Sequence, residues 1–480
     1  MNQAPLLTGD RPPNILWLCT DQQRYDTIAA LGNSRIRTPH LDSLVQTGVS
    51  FTRAYCQSTV CSPSRASFLT GRYPRTTGCR QNGQLLPARE RLVSRLFADA
   101  GYTCGLAGKQ HLASCANGRV EERGDDGYHE FHWSHHPQPD WPENEYSQWL
   151  SQEGQSWESL YDGPETTYTK QGIPAAYHQT TWCANKTIEF LQQHQENPWF
   201  FSFNCFDPHH PFDPPADYFQ RYQPEQMPLP RFQPGELANK PRYQQLDHEW
   251  AHNEPGFFPV SQMTTADQQE VTAAYYAMVE LIDDQVGRIL AALEETGQRE
   301  RTIILFMSDH GEMLGDHGLY LKGPHFYESS IHVPLVFSWP GQFQSNLQAD
   351  GLIELVDLVP TLLSAAGQGV PPAVQGQSLL PILTGQQDPT SHRDHVYCEY
   401  YNAWTHDRSY GTMMRTADKK IVIYHGIEDG ELYDLATDPD EFNNLYHQPE
   451  HTELRYQLLK RAFDASVFTM DPLPERLGPF

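Results

Sequence analysis

Four short, unbroken apolar runs, each delivering polar residues at its end, constrain this chain more than any other feature. Residues 14–20 (Asn-Ile-Leu-Trp-Leu-Cys-Thr) lead into Asp21-Gln22-Gln23-Arg24, and residues 101–108 lead into Lys109-Gln110-His111. Residues 198–205 run into Phe206-Asp207-Pro208-His209-His210-Pro211, and 302–307 end at Ser308-Asp309-His310-Gly311. Such runs predict strands buried on both faces, the pattern of a parallel sheet covered by helices. In open parallel sheets the ligand crevice lies at the carboxyl ends of the strands. One polar strand end is ordinarily a turn or cap residue. Four of them predict a shared crevice fed by Asp21/Gln22, Lys109/His111, His209 and Asp309/His310. Two Asp carboxylates and a side-chain amide oxygen make an oxygen-rich cage suited to Ca²⁺ or Mg²⁺.

The stretch Cys61-Ser62-Pro63-Ser64-Arg65-Ala66-Ser67-Phe68-Leu69-Thr70-Gly71 supplies a reactive group. Pro63 suits the first turn of a helix, where its missing N–H costs nothing. Cys61 then stands at or just before a helix N-terminus, where free backbone N–H groups favour negative charge. Arg65 adds a planar fork of donors for an oxyanion. A lone Cys-x-x-x-Arg would read as a buried structural cysteine. Continued through Arg72-Tyr73-Pro74, however, the Cys-x-Pro-x-Arg core resembles the signature of the type I, formylglycine-dependent sulfatases of the alkaline phosphatase superfamily. Thr38-Pro39-His40-Leu41-Asp42, Lys109-x-His111, Pro208-His209-x-Pro211, Ile331-His332-Val333-Pro334 and the segment from Asp438 to Leu445 are similar to the same family.

The resemblance implies an enzyme, a sulfuric ester hydrolase that cleaves the S–O bond of a sulfate monoester. The aromatic-rich insertions point to a sulfated carbohydrate. It also implies that Cys61 is oxidised to formylglycine by a formylglycine-generating enzyme. A divalent cation, usually Ca²⁺, would be held by Asp21, Gln22, Asp309, His310 and the modified Cys61. Gln22 and His310 stand where Asp and Asn are frequent in the family. Both lower the ligand charge, and an imidazole is a softer ligand, so Mn²⁺, Mg²⁺ or Zn²⁺ stays open. By the same resemblance Arg65, Lys109 and Lys322 balance charge on the sulfuryl oxygens, and Asp309 assists deprotonation of the nucleophile. His209, helped by Lys322, protonates the leaving alcohol, and His111 takes a proton from the second hydroxyl to expel sulfate. Asn82, in Arg80-Gln81-Asn82-Gly83, and His210 are further candidate substrate contacts, set against the turn-forming reading of Asn-Gly. Two other readings stay open: a phosphonate monoester or phosphodiester hydrolase of the same superfamily, and a non-catalytic binder of sulfated glycan. The Lys109/His111 pair weighs against the first, and the full set of strand-end residues against the second.

The predicted fold is α/β: a large, mostly parallel sheet flanked by helices, alkaline-phosphatase-like, with a smaller C-terminal α+β subdomain on a short antiparallel sheet. The catalytic domain is expected over 1–385, with loop insertions near 114–180 and 212–262, and the subdomain over 386–480. In the first insertion His129, His132, His135 and His136 crowd among tryptophans without a familiar ligand spacing. A pocket wall is expected there, with aromatics that either stack on sugar rings or pack. Residues 268–295 carry one apolar stripe at helical spacing and read as a structural helix without chemistry. Residues 354–366 read as an apolar helix broken by Pro360. The net charge of −26 argues against nucleic acid and anionic membranes as partners, so the pocket must be locally positive. Residues 1–13 show no basic patch followed by an apolar core, so no secretory signal is read. Nine cysteines, an odd number without metal-type pairs, favour mostly free thiols in the cytoplasm, with one disulfide near Cys56 and Cys79 left open. A chain trimmed of a leader, periplasmic or secreted, would read the same way.

Overall fold

The computed structural model describes residues 11–474 apart from 117, 140, 142, 254–256 and 404–407. The reading of the N-terminus falls mostly on residues 1–10, outside the described residues. All four apolar runs are strands of one sheet. Its members are β1 (Asn14–Thr20), β2 (Val49–Phe51), β3 (Thr103–Gly108), β4 (Glu130–Trp133), β5 (Trp199–Asn204), β6 (Thr302–Ser308), β7 (Leu335–Ser338) and β8 (Leu347–Ala349). They lie side by side in the order β4-β3-β5-β1-β6-β7-β2-β8. The first five are mutually parallel, β7 runs antiparallel to β6, and β2 runs antiparallel to β7. Leu16 in the central β1 is level with Phe201 on one side and Ile304 on the other. Every residue of β1, β5 and β6 is buried, which is why these runs show no apolar–polar alternation.

Two helices cover opposite faces of this sheet. The helix Cys61–Thr70 packs Ala66, Phe68 and Leu69 into the cluster around Trp17, whose ring centroid lies 5.6 Å from that of Phe68. The helix Thr265–Glu295 packs Ile282, Val286 and Ile289 against Leu16 and Leu18. Each buried Phe, Leu, Ile or Val side chain among these contributes about 1.5–3 kcal/mol. The long helix starts on a reciprocal cap, in which the Thr264 hydroxyl accepts from the Asp267 N–H and the Asp267 carboxylate from the Thr264 N–H.

A second, antiparallel sheet of four strands, β9 (Val396–Tyr401), β10 (Tyr410–Arg415), β11 (Lys419–Tyr424) and β12 (Asp429–Asp434), follows in chain order. The helix Thr452–Phe468 covers it, burying Leu458 with Ala462 and Ala465, while Leu454 and Leu459 are half-buried. Two details depart from expectation, and a third settles an alternative left open. Pro360 lies in the first turn of the helix Leu358–Ala365, where no intrahelical hydrogen bond is lost, so that helix is unbroken. The insertion 212–262 contains the helix Arg242–Trp250 and wedges against the small sheet, with the Lys240 ammonium 3.1 Å from the Tyr433 hydroxyl. Cys56 and Cys79 form no disulfide; all nine cysteines are free thiols.

Candidate active site

The strand ends do meet, and they meet at Cys61. Cys61 is the first residue of its helix, preceded by Val60 in extended backbone. Val60 has no side chain able to cap. The Asn82 carbonyl takes that place, accepting from the Ser62 N–H at 2.9 Å. Asn82 therefore holds the start of the helix while also lining the cavity above it. Two turn positions aim β1 and β3 into the same space: Gln22 and His111 sit at φ of 69° and 60°. Such non-glycine backbone costs about 1–3 kcal/mol and is held only where the surroundings enforce it. Gly108, at φ 108°, ends β3 so close to β5 that a Cβ would lie 1.9 Å from the Asn204 carbonyl oxygen. This close approach brings the Lys109 N–H to that oxygen at 2.9 Å and turns the Lys109 side chain inward.

Buried charges of both signs interlock beneath Cys61. The Arg65 guanidinium donates from Nε to Asp309 at 2.9 Å, from Nη2 to Asp21 at 3.3 Å and from Nη1 to the Lys109 carbonyl at 2.9 Å. Lys109 Nζ donates to Asp21 at 2.5 Å. Lys322 Nζ lies 3.1 Å from Cys61 Sγ, 2.7 Å from Gln22 Oε1 and 2.9 Å from His209 Nε2. His310 Nε2 lies 3.2 Å from the same sulfur. Burial raises the Asp21 pKa, but Lys109, Arg65 and Lys322 together hold it well below the usual carboxylate range. Burial and Asp21 push the Cys61 thiol up, and Lys109, Lys322 and His310 outweigh them, leaving it below its ordinary value. Position 61 is thus a local well for negative charge inside a chain that is negative overall.

The histidines differ in charge. Burial, reinforced by Lys109 and Arg65, pushes the His111 pKa well below its ordinary value. Burial, then Lys322 and His210, does the same to His209. The His209 ring stacks on His210 at 4.2 Å, and burial with Lys322 holds His210 down at about 3. In all three the surroundings favour the neutral imidazole. His310 goes the other way: burial disfavours its cation, yet Asp309 and Cys61 raise it to about 9. One ligand atom from each of Asp21, Cys61, Asp309 and His310 lies within 4.8 Å of the others, all four residues buried. The His310 Nδ1–H donates to the Gly311 carbonyl at 2.9 Å, which leaves Nε2 facing the carboxylates. Two carboxylates, an imidazole and the group at position 61 fit a divalent cation, and the pull on His310 marks the place as cation-seeking. Gln22 stands at the edge of this cluster, its amide oxygen engaged by Lys322.

A model of the sulfatase family matches residues 13–368. The chain belongs to the sulfatase family. A second model, described as the C-terminal part of N-sulphoglucosamine sulphohydrolase, matches residues 315–466. An arylsulfatase of Clostridium perfringens is 30% identical over 457 residues, covering 92% of each chain. An N-acetylglucosamine-6-O-sulfatase of Bacteroides thetaiotaomicron is 26% identical, covering 93% of this chain and 85% of that one. Among solved structures, a phosphonate monoester hydrolase of Silicibacter pomeroyi superposes with a TM-score of 0.83 at 26% identity, covering 96% of both chains. The sheet described above is accordingly the alkaline-phosphatase-like sheet of a sulfatase, and the chain is an enzyme of that family.

Several residues of this sulfatase site carry no sequence signal of their own. Glu312 is buried and accepts from the Leu314 N–H at 2.9 Å, from the Leu321 N–H and from the Gln22 amide, fixing which way that amide faces. Tyr275 donates its hydroxyl proton to the Gln22 carbonyl at 2.6 Å and accepts from the Arg24 N–H at 3.0 Å. The helix expected to carry no chemistry thus holds the β1 turn in place. Glu121 accepts from the N–H groups of His111 and Leu112 and from Trp133 Nε1. The cavity above Cys61, about 430 Å³, is walled by Lys109, His111, His209, His210 and Lys322 and, from the first insertion, by His135, His136, Trp157 and Tyr161. Of the other insertion histidines, His129 accepts from the Cys104 N–H and His132 pairs with Glu145, both away from the cavity. Among the described residues of the second insertion, Asp213 lines the cavity.

Proposed function

We propose that this protein hydrolyses a sulfate monoester of a carbohydrate, with the oxidised side chain of Cys61 as nucleophile and a divalent cation in the Asp21, Gln22, Asp309 and His310 cradle. One observation carries the reading: a single ammonium, Lys322 Nζ, touches both Cys61 Sγ at 3.1 Å and His209 Nε2 at 2.9 Å. The Cys61 sulfur stands in for an oxygen of the aldehyde hydrate. When bound, the cation would polarise a sulfuryl oxygen, and the hydrate would offer one hydroxyl for attack and a second for release of sulfate. Asp309, already engaged with Arg65, accepts the proton of the attacking hydroxyl. Arg65, Lys109 and Lys322 meet the negative charge of the sulfuryl oxygens with fixed positive groups in a buried setting, where such groups act most strongly. His209 donates its Nδ1–H to the His210 carbonyl at 2.6 Å, so its Nε2 is free to relay a proton from Lys322 to the departing alcohol. His111, neutral and 8% exposed, has an imidazole nitrogen ready to take the proton of the second hydroxyl. His136 and Trp157 line the cavity and supply aromatic surface for a sugar ring on the leaving side, with Trp157 backed by the stacked ring of Tyr161 at 4.2 Å. The sulfatase relatives that act on sugar sulfates support this choice of substrate.

A second reading draws on the phosphonate monoester hydrolase neighbour, which shares the fold at a TM-score of 0.83. The Lys109/His111 pair favours sulfate. Steady-state rates on matched aryl sulfate and aryl phosphonate monoesters separate the two. The sulfate ester is expected to have the larger kcat/KM by about tenfold or more, which is about 1.4 kcal/mol of transition-state preference. Faster phosphonate cleavage would replace the first reading by the second. A panel of sulfated mono- and disaccharides then identifies the sugar.

A further inference from the structure

Three side chains, two of them lining the cavity, come together without being needed together for the chemistry above. They are His111, Cys115 four residues further on, and His135 from the first insertion. One ring nitrogen from each histidine and the Cys115 sulfur lie within 4.8 Å of one another. The two imidazoles meet edge to face, centroids 4.5 Å apart at 88°. His111 is 8% exposed, and among the described residues its Nδ1 has no hydrogen-bond partner; neither ring nitrogen of His135 has one there either, and all three atoms are buried. Buried polar atoms are paired in the great majority of cases, so three orphaned imidazole nitrogens beside one thiol point to a missing ligand. A ligand that accepts lone pairs satisfies one nitrogen of each imidazole and the sulfur at once.

We propose that His111, Cys115 and His135 form a second metal site, distinct from the acidic cradle and suited to Zn²⁺. Two imidazoles and a thiolate are the ligand types Zn²⁺ prefers, whereas the carboxylate-rich cradle suits harder ions. Three protein ligands would leave a fourth tetrahedral position open to water. With bonds of about 2.0–2.3 Å, tetrahedral ligands stand roughly 3.5 Å apart, so the trio closes by about an ångström. The half-buried Cys115 segment can supply that movement, since the His111 backbone is anchored by Glu121 at 2.9 Å. On ligation the Cys115 thiol loses its proton to solvent and nothing changes oxidation state. Zinc there would occupy the His111 imidazole and block turnover. That consequence rests on His111 acting as the base proposed above; metal binding does not.

Co²⁺ serves as the spectroscopic substitute for Zn²⁺, in the full-length Cys61→Ser variant so that the acidic cradle offers no thiol. A thiolate-to-cobalt charge-transfer band is expected, displaced by Zn²⁺ and absent from Cys61→Ser/Cys115→Ser. A band that persists without Cys115, or no band at millimolar Co²⁺, overturns the site. In the mature enzyme, Zn²⁺ is expected to inhibit. Cys115→Ser, measured against its own zinc-free rate, should need about tenfold more zinc or greater, because losing a ligand costs at least what losing a supporting contact costs. If the band is Cys115-dependent yet zinc-loaded enzyme keeps its full rate, the inhibitory consequence fails, and with it the role given to His111.

Discussion

Replacing Cys61 by alanine is expected to lower kcat on a sulfate ester by about 10⁴-fold or more while the protein still unfolds in one cooperative step. The size follows from the removal of a covalent nucleophile, whose loss leaves only charge stabilisation and binding behind. Cys61 is 1% exposed, but its removal deletes one sulfur atom at a helix start held by Asn82, so the packing loss is small beside the chemical one. Cys61→Ser is the sharper companion. A serine would accept the sulfuryl group but has no second hydroxyl from which to expel it, so a stable sulfate ester on residue 61 should accumulate and be visible in the intact mass. Cys61→Ala that retains more than about a tenth of the wild-type rate would remove position 61 from the mechanism.

Arg65→Met should have the largest effect on stability. Arg65 is 1% exposed and stands between Asp309 and Asp21, both fully buried. Removing one partner of a buried ion pair costs about 3–5 kcal/mol, because the remaining carboxylates stay in a poorly solvated place without their counter-charge. A divalent cation in the cradle would restore part of that charge. Thermal melts with and without saturating Ca²⁺ or Mn²⁺ should therefore show a larger metal-induced rise in Tm for Arg65→Met than for wild type. An equal rise in both would mean that the carboxylates do not hold the ion. Activity should fall as well, since the guanidinium also positions the Lys109 carbonyl at 2.9 Å.

How much of this site can be read from the chain follows from how local its determinants are. Asp21, Lys109, His209 and Asp309 are visible because each ends an apolar run, and runs buried on both faces advertise themselves without reference to their neighbours. Cys61 and Arg65 are visible because three residues separate them within one continuous helix. Glu121, Tyr275 and His135 are not, because what matters is the atom they meet across the fold: the His111 N–H, the Gln22 carbonyl and the His111 ring. Glu312 is the intermediate case, three residues beyond Asp309 and yet informative only once its contact with the Gln22 amide is seen. The short strands β2 and β8, three residues each, carry no periodic pattern at all; β2 is set in register by β7, and β8 by β2. Pro360 misleads for a related reason. Its effect depends on its place in a helix whose start is set by the Glu354–Asp357 cap, with the Glu354 N–H donating to Asp357 at 3.1 Å.

Whether position 61 carries an aldehyde decides the rest. Mass spectrometry of the peptide spanning Cys61, from protein made in a host able to carry out the modification, measures it directly. Formylglycine is expected at residue 61, reactive towards hydrazides, in a proportion that tracks specific activity from one preparation to the next. Fully active protein with an unmodified thiol at residue 61 would contradict it.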